Sequence, residues 1–304
     1  MKNKALIGGI IALLIIGSIG FFCFWAAKKI KETISQTDTV IVNKPQPPTV
    51  PNGNSPQPVN AEQAQKIYLA FGNPGSAAQT DPNNYLLVNN FYVNSYSRDR
   101  GIPNWVAWRV SKADMSDLAR EDSFRPDNRL PNNFPRVTPS DYTGSGYDRG
   151  HIAPNADRDG TPESMASTFL MTNMVPQTGD LNRGPWVKLE GYLRTLVRRG
   201  SDVYIYAGAY GDNGRLKKKV TVPTNTWKIA VVVPAGSDPL TAVDENARVI
   251  AVDMPNVKGI KNADWQIYRT TVRDIEQKTG LNFLSNLPQN VRDKLETKID
   301  NINN

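Results

Sequence analysis

The sequence predicts an α+β fold, and three observations carry that reading. Short runs rich in β-branched and aromatic residues recur at 85–88, 91–97, 105–110, 203–207, 227–233 and 249–253, the composition of strands. Helices are read at 163–170, 185–199, 272–278 and 288–299. They do not alternate strictly with the strands, which argues against a doubly wound sheet. No internal repeat divides the chain, so everything after a proline-rich spacer is read as one unit.

The segments follow in order. Residues 1–4 are a short tail with Lys2 and Lys4. Residues 5–27 carry no charge and one polar side chain, Ser18. As a helix at about 1.5 Å per residue this run reaches roughly 35 Å, enough for a hydrocarbon core of about 30 Å, and it reads as a single-pass transmembrane helix in contact with the lipid bilayer. The rival is a cleaved secretory signal, because Ser18-Ile19-Gly20 is a weak small-x-small site. Apolar residues nevertheless continue past it to Lys28-Lys29. Residues 28–64 form a linker, with six prolines between 45 and 58, an extended spacer that cannot bury a core. The folded domain is read as 65–304. Within it Trp105-Val106-Ala107-Trp108 suits either a buried strand or one with two usable faces. Pro185 suits the first turn of the 185–199 helix, Gly200 lies just past its end, and Arg198 and Arg199 complement its negative pole.

Counting residues excludes several chemistries. One cysteine rules out a disulfide framework and a thiolate zinc site, and one histidine rules out any centre that needs two imidazoles. There is no phosphate loop of the GxxxxGK[ST] type, the glycines of 144–150 have the wrong spacing for a dinucleotide loop, and Ser145 is not in a GxSxG elbow. The net charge of +7 is misleading, since five lysines and no acid lie in residues 1–31, leaving 31 bases against 29 acids, only +2, for the rest. Any basic surface must be local.

His151 is therefore the base if imidazole chemistry occurs at all. Arg149 two residues before it can grip an anion, and Gly150 permits a sharp turn or a close backbone approach. The bland reading is a half-buried histidine in a turn. Downstream, Asn182, Glu190 and Arg194 fall on one helical stripe, the successive steps rotating by about 80° and about 40°. Asn182 and Glu190 would be about 12 Å apart along a straight helix, so Asn182 is placed in the loop before Pro185, folded back over the first turn. Its carbonyl is a hard oxygen suited to Mg²⁺, and Glu190 could hydrogen-bond the ion's waters. The plain alternative is a capping-loop asparagine and an i,i+4 Glu–Arg surface pair.

These residues carry a resemblance. Asp148-Arg149-Gly150-His151, then Thr172-Asn173-Met174-x-Pro176-Gln177 and Asn182-x7-Glu190-x3-Arg194, together with Phe124-Arg125-Pro126-Asp127 and Ser285-Asn286, resemble the DNA/RNA non-specific endonuclease family, nearest its cyanobacterial members. The likeness runs from about residue 85 to residue 286. It implies a ββα-metal core with a central, mainly antiparallel sheet flanked by helices. It also implies a Mg²⁺-dependent, sequence- and sugar-nonspecific hydrolysis of DNA and RNA to 5′-phosphate products, Mn²⁺ being a possible substitute. Through it His151 matches the general base, Asn182 the sole direct protein ligand of the metal, and Glu190 the acid that holds metal-bound waters. Arg194 matches the arginine beside the phosphate, Arg149 the motif arginine and Arg120 an upstream phosphate-contacting arginine, with Arg125 a competitor for the place of Arg120.

Two other functions stay open at this point: a non-catalytic anchored nucleic-acid receptor, and a phosphodiesterase for small or lipid-linked phosphates. The catalytic domain is expected outside the cytoplasmic membrane, because an unrestrained nuclease facing the cytosol would attack its own nucleic acids. Release by cleavage is the lesser option. Two basic clusters are candidate backbone tracks: Arg183, Lys188, Arg194, Arg198 and Arg199, and Arg215 with Lys217–Lys219.

Overall fold

The structure, a computed structural model, describes residues 60–302. Ten strands run through it: β1 (Tyr85–Asn89), β2 (Tyr92–Ser97), β3 (Ile102–Val110), β4 (Asp148–His151), β5 (Met174–Gln177), β6 (Ser201–Tyr210), β7 (Arg215–Leu216), β8 (Val220–Thr221), β9 (Asn225–Pro234) and β10 (Val249–Pro255). Six of them form one sheet in the order β1-β2-β3-β6-β9-β10, with every neighbour antiparallel. All six coincide with the runs rich in β-branched and aromatic residues. The helices are α1 (Ala61–Tyr68), α2 (Pro162–Ser167), α3 (Val187–Arg198), α4 (Val272–Thr279) and α5 (Gln289–Thr297). The fold is α+β, as its unalternating order requires.

Both faces of the sheet are covered. Alternate residues of β3 go to opposite sides: Val106 and Trp108 join one core, Trp105 and Ala107 the other. The first core is closed by α3 through Leu189, Leu193, Leu196 and Val197, and by Met174 and Val175 of β5. The second is closed by Ala64 and Tyr68 of α1, Val272 and Ile275 of α4, and Leu295 of α5. A strand buried on both faces reads as a continuous apolar run, which explains the segment 105–108. At the start of the described chain Asn60 caps α1 with a reciprocal bond to Gln63.

Two short antiparallel ribbons stand apart from the sheet: β4 with β5, and β7 with β8. The first was not foreseen. His151, a turn residue in the bland reading, ends a strand. The sequence DRGH has one charged pair, one glycine and no β-branched residue, so no strand signal shows in it.

The transmembrane segment expected at 5–27 lies outside the described residues. Among those described, no helix is long and apolar enough to cross a membrane. The longest α-helix among them, α3, has 12 residues, and at about 1.5 Å each it reaches roughly 18 Å against a hydrocarbon core of about 30 Å. The expectation of a single-pass membrane protein, with the bilayer as partner and an extracytoplasmic or released catalytic domain, is corrected accordingly.

Candidate active site

Strand β4 presents two faces. Asp148 and Gly150 lie on one, Arg149 and His151 on the other. Gly150 is there because of close packing and not because of a turn. A Cβ at this position would stand 2.0 Å from Gln177 Oε1 and 2.6 Å from its Cγ, and Gln177 is fully buried. On the other face the His151 ring sits edge-on to Phe169, with centroids 4.8 Å apart, and 5.5 Å from Phe124. Its Nε2 is buried with no hydrogen-bond partner among the described residues. Burial, and secondly the Arg120 guanidinium, push the imidazole down to about 3, so it is neutral at physiological pH. Asn173 fixes the chain just beyond: its backbone carbonyl takes the Ile152 N–H, and its side chain bonds both the N–H and the carbonyl of Ala153.

Asn182 is not in a loop. It continues a helical turn, Gly179–Leu181, with φ −60° and ψ −44°. From there the chain widens into one π-helical turn, Asn182–Trp186, broken at Gly184 (φ −117°, ψ −118°) before α3 begins. Gly184 is required by contact, because a Cβ would lie 2.6 Å from the Lys261 carbonyl oxygen. With this break Asn182 and Glu190 do not lie on one straight helix. Asn182 donates through Nδ2 to Asp148 Oδ2 (3.0 Å), while Arg183 binds the same carboxylate through Nε (2.9 Å) and Nη2 (2.5 Å). The amide is thereby oriented, with its nitrogen committed and its carbonyl oxygen left over. At the other end of β4 the Trp186 indole donates to the His151 carbonyl (3.3 Å). Strand and turn are tied together at both ends, and this fixes His151 relative to Asn182.

The plain alternative of a surface Glu–Arg pair does not hold: Glu190 is buried, and it and Arg194 each have another partner. Glu190 is 7% exposed and its Oε1 lies 3.5 Å from Nζ of Lys228 on β9. Burial pushes its carboxyl up, and Lys228 pulls it back. Arg194 instead binds Asp157 (2.8 Å), whose second oxygen takes the Trp108 indole N–H (3.0 Å). Asp157 and Lys228 were missed from the sequence, and Asp148 was read only as part of the motif, without its orienting role. Lys228 left a signal there, a lone charge inside the apolar run 227–233.

Arg149 donates to the Pro139 carbonyl (3.1 Å) and lies over the Phe124 ring, the same ring that His151 meets. Arg120 lies over Phe169, 5.2 Å from the centroid, with Asp122 and Asn155 as partners. Arg125 turns elsewhere, to Ser123 and the Ala166 carbonyl (2.7 Å). Of the two, Arg120 is the one beside His151. The first basic cluster is not a single free face, since Arg183, Lys188 and Arg194 are each taken up by an aspartate. In the β7–β8 hairpin Lys217 and Lys218 are exposed, and Lys217 reaches the Ser140 carbonyl, next to the residue that holds Arg149. Among the described residues no group of three or more His, Cys, Asp or Glu side chains is placed to hold a metal ion.

Residues 72–290 match the family model for DNA/RNA non-specific endonucleases. The chain belongs to that family. It is 50% identical over 238 residues to a nuclease from Nostoc sp., covering 77% of this chain and 86% of that one. Nuclease C1 of Cunninghamella echinulata is 32% identical over 236 residues, covering 72% and 88%. A chain of the EndoG/EndoGI complex, whose crystal structure addresses EndoG inhibition, superimposes with a TM-score of 0.63 at 25% identity, covering 77% of this chain and 94% of that one. This family member is therefore an enzyme, a divalent-metal-dependent nuclease that hydrolyses phosphodiester bonds, and not a non-catalytic receptor.

Proposed function

We propose that the chain is a Mg²⁺-dependent, sequence- and sugar-nonspecific endonuclease that cuts DNA and RNA to 5′-phosphate ends, with 65–304 as the catalytic domain and Mn²⁺ able to replace Mg²⁺. The observation that supports this most is a neutral, buried histidine on a strand stitched at both ends to the turn that presents Asn182.

His151 is the general base. Its sealed Nε2 keeps the ring proton, so Nδ1 offers the lone pair that takes a proton from the attacking water. Asn182 would hold the metal directly: a single hard carbonyl oxygen suits an ion that retains most of its waters, and Asp148 holds the amide in that sense. When bound, Mg²⁺ supplies neutralisation of a non-bridging phosphate oxygen and of the charge developing on the leaving 3′-oxygen. Glu190 would accept hydrogen bonds from the ion's waters. Arg120 and Arg149, on the two aromatic rings that flank His151, attract the phosphodiester, and Arg194 adds positive charge from beneath. None of these groups reads a base or a 2′-hydroxyl, which accounts for indifference to sequence and sugar.

The test is digestion of circular double-stranded DNA, single-stranded DNA and RNA by the purified protein, with and without chelator, followed by end-group mapping. Cleavage of all three to 5′-phosphate ends, abolished by chelator and restored by Mg²⁺, is expected. Activity on RNA alone, or 3′-phosphate ends from DNA, overturns the proposal.

A further inference from the structure

Strand β9 reads Trp227-Lys228-Ile229-Ala230-Val231, and its lysine is 1% exposed. Burying an ammonium costs several kcal/mol, whereas an aliphatic side chain would fill the same space without that cost. Packing alone does not explain Lys228. Its Nζ lies 3.5 Å from Glu190 Oε1 and 4.1 Å from the centroid of Trp186, the residue that ends the turn presenting Asn182. The neighbouring carboxylate, Asp157, is already engaged at both oxygens by Arg194 and Trp108. Glu190 differs. Lys228 engages its Oε1, and its Oε2 has no hydrogen bond from the described residues.

We propose that Lys228 is a positioning residue for metal binding: it grips Glu190 by Oε1 and so holds Oε2 ready to accept hydrogen bonds from metal-bound water. This rests on the role given to Glu190 above. The pairing also counters burial, which by itself pushes the Glu190 carboxyl up and the Lys228 ammonium down.

The test is calorimetric titration of the full chain with Mg²⁺ alone, on Glu190→Gln, Lys228→Met, Lys228→Arg and the double variant Glu190→Gln/Lys228→Met. Lys228→Met should weaken Mg²⁺ on the order of 10–100-fold, about as much as Glu190→Gln. It should cost nothing further in the Glu190→Gln background, and Lys228→Arg should retain part of the affinity. Equal losses from Lys228→Met in both backgrounds would mean a general structural role and overturn the proposal. So would wild-type affinity in Lys228→Met while Glu190→Gln binds weakly. Wild-type affinity in Glu190→Gln would instead remove the reading of Glu190, and this inference with it. The double variant leaves no unpaired buried charge at this pair. If Lys228→Met does not fold, comparison of the double variant with Glu190→Gln decides: equal affinity supports the proposal and weaker affinity overturns it.

Discussion

Replacing Gly150 by alanine adds one carbon where the β4–β5 ribbon has no room for it. The new Cβ would meet Gln177 Oε1 at 2.0 Å, Cδ at 2.4 Å and Cγ at 2.6 Å, against an ordinary carbon contact of about 3.5 Å. Gln177 is fully buried and cannot swing into solvent, so the ribbon must open by roughly 1 Å. Overpacking of this kind costs about 1–3 kcal/mol. At roughly 2–4 °C per kcal/mol for a domain of this size, the melting temperature should fall by about 2–12 °C. His151 is the next residue on the strand, and a displacement of about 1 Å in a catalytic group can cost on the order of 100-fold in turnover. Gly150→Ala should therefore lose far more activity than stability. Adding Gln177→Ala, which removes the three crowding atoms, should restore turnover despite the cavity it leaves. Melting curves and nicking rates for the single and double variants provide the assay. Wild-type turnover in Gly150→Ala, or no recovery in the double variant, would refute this reasoning.

Three further outcomes are expected. His151 titrates at about 3 in the fold and at about 6.5 in an unfolded chain. The unfolded state therefore takes up the proton first, and stability present above pH 6.5 is lost as pH falls towards 3. Between pH 7 and pH 5 this amounts to about 2 kcal/mol, which His151→Gln should abolish in denaturant titrations without metal; an identical pH dependence in both proteins contradicts it. Asp148→Ala frees the Asn182 amide but gives up an ion pair whose arginine side chain is 68% exposed. Calorimetry should show Mg²⁺ affinity lowered on the order of 10–100-fold with little change in melting, and the reverse pattern would make Asp148 merely structural. Lys217→Ala with Lys218→Ala should reduce the slope of log affinity for DNA against log salt by about 2, with catalytic turnover unchanged; an unaltered slope removes the hairpin from the substrate track.

The sheet was legible in the sequence because its strands are rich in β-branched and aromatic residues, which composition exposes directly. The β4–β5 ribbon was not legible, because Gly150 and the charged pair Asp148-Arg149 are dictated by contacts with Gln177, Asn182 and Pro139, all remote in sequence. The stripe of Glu190 and Arg194 was visible, but whether its face is buried or wet was not. An i,i+4 spacing says that two side chains share a face, not that the face is wet. Their real partners come from β9 and from the turn at Asp157. Asn182 could be located but its backbone could not, since the π turn depends on Gly184 meeting Lys261.

The central claim is a division of labour, His151 moving the proton and Asn182 holding the metal. Cleavage rates measured across a wide range of Mg²⁺ concentrations for His151→Ala and Asn182→Ala test it most directly. Asn182→Ala should recover part of its activity as Mg²⁺ is raised, and His151→Ala should stay inactive at every concentration while binding Mg²⁺ normally. Recovery of His151→Ala at high Mg²⁺, or an Asn182→Ala protein that is inactive with undiminished Mg²⁺ affinity, would contradict the assignment.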